Sequence, residues 1–230
     1  MPNYDVKERI SGGLLSEIIL GGQDGVVNVL GITLAVATAT SSNKVVLIAA
    51  LAALFAESIS MAAVAYTSTK ALKDYHKSMV KHEKWEMKNI PEKEKKEIYD
   101  IYRKKGFRGG MLNRIVNTIV ARKKIWLNVM LSEELGLPKR EKRSPAKSAF
   151  IVGFASFAGS FVPIIPFIFL PVKISVIATI ILSCVVLFFA GAFKAKVTIG
   201  DWRWAGLEMV FVGISAAVVG YVIGYVLGRF

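Results

Sequence analysis

The sequence predicts an all-α, multi-pass membrane protein with five transmembrane helices and a cytoplasmic three-helix insert between the second and the third. The 230-residue chain is 53% hydrophobic yet has a formal charge of +13, so apolar and charged residues must be segregated along it. Apolar windows of about 20 residues, long enough for a helix to cross about 30 Å of hydrocarbon, occur five times. One polar segment, residues 70–147, holds 22 of the 30 Lys and Arg residues.

Each predicted span is a run of apolar residues, and the first two runs also contain carboxylates. In chain order the spans are Leu14–Thr40, Val45–Tyr66, Ala149–Phe169, Ile174–Phe193 and Trp204–Leu227. The stretch MPNYDVKERISGG lacks the pattern of a cleavable signal peptide, so we expect the first span to remain in the mature protein. Pro163 and Pro166 predict a kink or an end of the third span near the outer surface.

The distribution of charge predicts the orientation in the membrane. The insert also holds 10 of the 17 acidic residues and so contributes +12 of the net charge. Cytoplasmic flanks of membrane helices are enriched in Lys and Arg, which predicts a cytoplasmic insert and amino terminus. The loop after the fourth span agrees, because it carries Lys194, Lys196 and Arg203, whereas the outer loops contribute only Lys44 and Lys173.

Three helices are predicted in the insert, residues 70–147. The insert separates residues 1–69, which contain the first two spans, from residues 148–230, which contain the last three. The first helix continues the second span through ALKDYHKSMVKHEKWEM and stops before Pro91. The second is PEKEKKEIYDIYRKKG, ended by Gly106. The third runs from about Leu112 to Leu135 and stops at a Gly-Leu-Pro sequence. The basic stretch KREKRSP that follows predicts a solvated linker at the membrane surface.

Small residues predict a packing face on the last span. Gly220, Gly224 and Gly228 recur at four-residue spacing, which lets helix backbones approach closely. Packing within one protomer is favoured over packing across a dimer. The single cysteine, Cys184, excludes an intrachain disulfide and a cysteine metal cluster, and we expect it to be a packed or lipid-facing side chain.

Carboxylates within the first two spans form one candidate site. Asp24 and Asn28 are four residues apart, as are Glu57 and Met61, so each pair shares a helix face. An ionisable group in a span costs at least about 2.5 kcal/mol and usually faces a polar cavity or an ion path. Carboxylate with thioether suits a borderline first-row divalent cation better than magnesium or calcium. The alternative is structural: Asp24 caps a helix break after two glycines, and Met61 fills space.

A repeated Glu-x-x-Glu spacing forms a second candidate site in the insert. Residues three apart lie on one helix face, and facing helices then gather hard oxygen ligands, as in carboxylate-bridged iron proteins. The candidate ligands are Glu83, Glu86, Glu94, Glu97, Met130 and Glu134. His82, four residues before Glu86, offers a further ligand, although a surface histidine is the simpler interpretation. The alternative for the glutamates is a set of solvated charges among lysines.

Other functions fit the sequence less well. It has no phosphate-binding Gly-rich loop, metalloprotease His-Glu-x-x-His or nucleophile elbow, so no enzyme chemistry is predicted. A basic insert could bind nucleic acid or anionic lipid. Its aromatic residues are spaced like helix-packing positions rather than base-stacking platforms, which disfavours nucleic acid; they are Trp85, Tyr99, Tyr102 and Trp126. A non-transporting membrane protein whose insert docks a partner or anionic lipid remains the alternative function.

Five segments together resemble the vacuolar iron transporter family. They are GGQDGVVNVLG, AESISMAA, IYRKKGF, LSEELGLP and SPAKSAFIVGFASFAGSFVPIIPF, in family order over nearly the whole chain. The resemblance implies a homodimer with five transmembrane helices per protomer, an ion pathway between the protomers and a cytoplasmic three-helix metal-binding domain. It implies export of ferrous iron from the cytoplasm by proton antiport, with manganese as an alternative cargo and zinc or cobalt as further candidates.

The resemblance also implies roles for residues. Asp24 and Met61 match the pathway, Glu57 lies one turn before Met61, and the insert glutamates match the cytoplasmic metal site with Met130 beside them. Two positions depart from the family pattern: Ala65 replaces a glutamate and Leu131 a second methionine. Either Glu57 compensates for Ala65, or the proton coupling or ion preference differs. The composition favours a prokaryotic cell membrane, with a vacuolar membrane expected if the chain is eukaryotic.

Overall fold

The described chain is built from α-helices. The computed structural model describes residues 4–137, 144–197 and 200–229, with side chains from residue 13 onward except at 197. The helices are α1 (Tyr4–Thr40), α2 (Asn43–Asn89), α3 (Pro91–Lys104), α4 (Gly109–Val120), α5 (Lys123–Val129), α6 (Pro145–Phe161), α7 (Ile165–Phe169), α8 (Val172–Val197) and α9 (Trp202–Leu227). A π-helical turn, Met130–Glu134, continues α5, and a 3-10 turn, Val162–Ile164, joins α6 to α7.

Within the described residues, five stretches of helix are long and apolar enough to cross a membrane, which confirms the predicted number. They are Gly13–Thr40, Asn43–Asn89, Pro145–Phe169, Val172–Lys196 and Trp202–Leu227. The chain is therefore a multi-pass membrane protein.

The third span is broken where its prolines predict a kink. Pro163 lies in the 3-10 turn and Pro166 in the first turn of α7. Proline removes a backbone donor and so leaves carbonyl groups without their helical partners. Hydroxyl groups on α8 add donors at this break: Thr179 donates to the carbonyl of Pro163 at 2.7 Å, and Ser175 donates at 3.0 Å to that of Pro166, which also accepts from the backbone N–H of Leu170. Neighbouring hydroxyls of this kind make a proline break tolerable in hydrocarbon.

Helix α1 lies at the centre of the membrane unit, because its small residues let two helices approach closely. It packs most extensively against α6 and α9. A Cβ atom added to Gly25 would lie 2.3 Å from the carbonyl oxygen of Ser156 on α6. One added to Gly224 on α9 would lie 2.1 Å from the carbonyl oxygen of Ala35. The glycines of the last span therefore pack within the chain, as predicted.

The described residues fall into two compact units. One contains the chain up to Thr67 and from Pro145 onward, and the other lies within residues 68–144. Helix α2 is continuous from Asn43 and ends at Asn89, before Pro91, as the sequence predicts. Helix α3 ends at Lys104, and Gly106 follows with φ of +101°, in the left-handed region that favours glycine.

The prediction of one continuous helix from Leu112 to Leu135 is wrong. The structure has α4, a break at Ala121 and Arg122, α5 and the π-helical turn. Arg122 is extended (φ −122°, ψ 94°). The break lets α4 and α5 both pack against Ile98 of α3, in one apolar cluster with Val116 and Trp126. The predicted stop at Pro138 and most of the basic linker lie outside the described residues.

The aromatic residues of the insert divide into two groups. Trp126 is buried, and Tyr99 and Tyr102 pack against the same apolar cluster, so these three are packing positions, as predicted. Trp85 is 57% exposed, so that prediction is wrong for it. It is two residues from the buried Glu83, and a two-residue step on a helix leads to the opposite face.

Candidate metal-binding sites

Three carboxylates from three elements converge in the insert. Glu83 comes from α2, Glu94 from α3 and Glu134 from the π-helical turn, and each offers an oxygen atom within 4.8 Å of the others. These three residues, called the acidic cluster below, are three of the six candidate ligands that the sequence predicts. Their spacing allows a single cation to contact all three side chains.

Packing of the insert fixes where these carboxylates lie. Ile98 follows Glu94 by one turn on α3 and is buried in the apolar cluster that also contains Met130. Glu134 comes four residues after Met130, in the π-helical turn. Single π turns inside helices occur frequently at functional sites. Burial of Ile98 and Met130 against one another therefore positions Glu94 and Glu134 at one end of the apolar core.

Two of the carboxylates are buried, and three of their oxygen atoms receive no hydrogen bond from the described residues. Glu83 is 2% exposed and Glu94 0%, whereas Glu134 is exposed. Both oxygen atoms of Glu94 and one of Glu83 have no hydrogen-bond partner among the described residues. A buried carboxylate without a partner is costly, and such groups normally pair with a cation or become protonated. The donor set therefore fits a divalent cation with hard oxygen ligands.

The environment makes these carboxylates weak acids in the absence of a cation. Burial, then the charges of Glu134 and Glu86, raises the pKa of Glu83 from 4.5 to about 7. Burial, then the charges of Glu97 and Glu86, raises the pKa of Glu94 to about 8. Partial desolvation, then the charges of Glu97 and Glu86, also raises the pKa of Glu134. Like charges and desolvation both favour the protonated form, so a bound cation would displace protons here.

Glu86 and Glu97 border the acidic cluster but are paired with a basic residue. The Nζ atom of Lys93 lies 3.3 Å from Oε1 of Glu97 and 3.7 Å from Oε1 of Glu86. The other oxygen of Glu86 lies 3.5 Å from Nε2 of His82, which is largely exposed. Lys93 is not among the site residues predicted from the sequence. Its four-residue spacing from Glu97 is a pattern that predicts an ion pair.

Met130 is placed in the apolar core as well as next to the acidic residues. It is 0% exposed and packs in the cluster with Ile98, Val116 and Trp126. Leu131, which follows Met130, is also buried. Met130 therefore serves the packing of the insert, and its thioether is one turn away from Glu134.

The structure brings together three of the four predicted pathway residues. The side chain of Glu57 on α2 is within hydrogen-bonding reach of Asp24 and Asn28 on α1. Asp24 and Glu57 are half-buried and Asn28 is exposed on the chain. Met61 is half-buried and lies one turn after Glu57 on α2. Asp24 lies within the continuous helix α1, so the alternative in which it caps a helix break is wrong.

Comparison with known proteins supports the resemblance seen in the sequence. The model of the VIT family matches residues 15–225. The chain is 26% identical to vacuolar iron transporter 1 of Arabidopsis thaliana over 228 residues, 99% of this chain and 91% of the relative. It is 30% identical to vacuolar iron transporter 2 of Oryza sativa subsp. japonica, over 96% of this chain and 90% of the relative. It is 31% identical to the vacuolar iron transporter of Plasmodium falciparum (isolate 3D7), over 93% of this chain and 82% of the relative. Since the family match spans both the membrane helices and the insert, the chain belongs to the VIT family.

Proposed function

We propose that the protein is a divalent-metal transporter that exports ferrous iron from the cytoplasm in exchange for protons, with manganese as a second cargo. The observation that carries the proposal is the acidic cluster, in which buried carboxylate oxygens lack partners within the described protein. The relatives are named vacuolar iron transporters, which supports metal-ion transport by this chain. Zinc and cobalt are competing cargoes.

The insert captures the ion in this proposal. Carboxylates of the acidic cluster replace water molecules in the shell of the hydrated cation, which lowers the cost of dehydration. Glu86 and Glu97 enlarge the negative field around the acidic cluster, and Met130 is the soft ligand of the candidate set. Binding requires ionised carboxylates, so capture releases protons into the cytoplasm.

The membrane helices then carry the ion past Asp24 and Glu57. Asn28 adds a neutral oxygen ligand and Met61 a thioether, a mixed set suited to a borderline first-row cation. Protons arriving from the acidic side neutralise Asp24 or Glu57 and release the ion. Because Ala65 replaces the family's glutamate, Glu57 provides the second carboxylate of the path.

A homodimer explains how these polar groups are accommodated in a membrane. Asn28 is exposed on the single chain, beside the half-buried Asp24 and Glu57. Ionisable groups in a span face a protein interior or a water-filled cavity rather than acyl chains. A second copy placed against this face would enclose the polar groups in a path between the two protomers.

Uptake of iron by proteoliposomes tests the proposal. We expect wild-type protein to accumulate Fe²⁺ in vesicles with an acidic interior. Glu83→Gln with Glu94→Gln should raise the half-saturating iron concentration about tenfold or more, because charge-assisted ligands are lost. Glu92→Gln, an exposed carboxylate on α3, is the matched control and should leave uptake unchanged. Salt-sensitive binding to anionic vesicles with no metal uptake would instead support the docking function.

A further inference from the structure

We propose that Lys93 is a tethered counter-cation of the metal site, which holds Glu86 and Glu97 when no ion is bound and must be displaced by an incoming divalent cation. This inference rests on the proposed function, because it concerns the affinity and selectivity of the same site. It assigns a specificity-determining role to a basic residue that the candidate ligand set does not contain.

The position of Lys93 supports this role. Its ammonium group lies between Glu86 and Glu97, at 3.7 Å and 3.3 Å. Its charge also acts on Glu94 and Glu134 of the acidic cluster. Lys93 therefore interacts with four of the five predicted carboxylate ligands, from the first turn of α3.

Lys93 is more exposed than Glu86 and Glu97, so its ammonium group is the part of these ion pairs that moves. The side chain of Lys93 is 60% exposed, whereas those of Glu86 and Glu97 are 16% and 28% exposed. An ammonium group on a flexible four-carbon stem can turn into water at little cost. The two carboxylates, on α2 and α3, stay in place and become available to a cation when Lys93 leaves.

Competition by the tethered ammonium group of Lys93 favours divalent over monovalent cations. A monovalent cation brings the same charge as Lys93 and gains little by replacing it. A divalent cation brings twice that charge to the same carboxylates, so it displaces Lys93 more readily. When the ion moves on, Lys93 returns to its partners. The residue thereby keeps binding reversible, since a site of five uncompensated carboxylates would retain a divalent ion.

Anaerobic titration of the full-length protein with Fe²⁺ in detergent tests the inference. Lys93→Met should tighten Fe²⁺ binding about fivefold or more, because it removes the charge that is paired with Glu86 and Glu97. It should also make Fe²⁺ affinity fall more steeply with added NaCl. Lys93→Gln should behave in the same way, and Lys93→Arg, which keeps the charge, should resemble wild type.

Lys96→Met is the matched control, because it removes one positive charge from an exposed position on the same helix. If Lys93→Met and Lys96→Met change Fe²⁺ affinity equally, or if Lys93→Met weakens binding, Lys93 is not a competitor for the site. That result would leave the proposed transport function standing. Failure of the wild-type protein to bind Fe²⁺ would overturn both proposals.

Discussion

At the scale of single residues, Glu94 shows how a functional group reduces the stability of its fold. Its carboxylate is fully buried, and its two oxygen atoms lack hydrogen-bond partners among the described residues. A protein optimised for stability alone would not place a charge there. Binding of a proton or a cation neutralises this buried charge, so the stability of the protein is coupled to metal binding.

Replacement of Glu94 should therefore stabilise the metal-free protein. We expect Glu94→Gln to raise its free energy of unfolding at about pH 8 by about 1–3 kcal/mol, because no charge is then buried. Unfolding of full-length protein in detergent and chelator measures this. Glu92→Gln lies in the same first turn of α3 but is exposed, so it controls for helix-end effects. Equal stability of the two variants would show that Glu94 is not a buried charge.

The pKa values predict how stability depends on pH. The pKa is raised to about 7 for Glu83 and about 8 for Glu94, from 4.5. Since the folded state holds these protons more tightly than the unfolded state, the stabilisation is fully present below about pH 4.5 and is lost as the pH rises through the folded pKa values.

In chelator, the unfolding temperature should thus fall between about pH 4.5 and about pH 8. Added Mn²⁺ should restore it most at the alkaline end, where the ligands are ionised. Scanning calorimetry of the full-length protein with and without Mn²⁺ would check both trends. A fall in unfolding temperature that Mn²⁺ does not reverse would argue against a metal at the acidic cluster.

Sequence spacing predicted the glutamates of the insert but could not show how they divide. Glu-x-x-Glu places two carboxylates on one helix face, yet most contacts that distinguish Glu83 from Glu86 come from other elements, whereas His82 is a local partner of Glu86 on α2. Glu83 faces Glu94 and Glu134, whereas Glu86 is paired with Lys93 and His82. Pairings between elements depend on tertiary packing, which a periodic pattern does not contain.

At the scale of helices, the position of Asp24 depends on the close approach of α1 to α6. A methyl group on Gly25 would collide with the backbone of Ser156 and Ser160, at 2.3 Å and 2.9 Å, and backbone atoms cannot yield as a side chain can. At Gly22 the nearest atom is the carbonyl oxygen of Ala155, at an ordinary 3.8 Å.

We expect Gly25→Ala to destabilise the membrane unit by about 1–3 kcal/mol and to impair transport, whereas Gly22→Ala should be tolerated. Thermal unfolding of the two variants in detergent, with uptake assays on the same preparations, separates the effects. Equal stability of the two would mean that α1 and α6 are farther apart than the structure has them.

The helices of the insert show where a periodic pattern misleads. Leu112, Val116, Ile119, Trp126 and Met130 recur at spacings of three, four and seven residues, so Arg122 and Lys123 interrupt this face, but neither proline nor glycine marks a break. The chain nevertheless turns at Arg122, and the two shorter helices both pack against Ile98 on α3. Tertiary burial outweighs local propensity here. By contrast, proline and glycine at the ends of α3 made its boundaries predictable.

At the scale of the whole molecule, segregation of apolar and charged residues made the membrane architecture predictable. Five runs of apolar sequence became the five candidate spans, with ends within a few residues of the prediction except where α2 continues into the insert. Burial in hydrocarbon requires length and low polarity, both of which are local properties of sequence. The meeting of Asp24, Asn28 and Glu57 is a tertiary property; spacing within each span favoured one candidate site but could not show that the two helix faces meet.

We propose that this member of the VIT family exchanges a divalent metal for protons through the site at Asp24. Simultaneous recording of Fe²⁺ entry and internal pH in acid-loaded proteoliposomes tests it most directly. We expect wild-type protein to show Fe²⁺ entry with matched proton efflux, and Asp24→Asn, which keeps the shape of the side chain, to lose both. Fe²⁺ entry without proton efflux in the wild type, or undiminished exchange by Asp24→Asn, would contradict the claim.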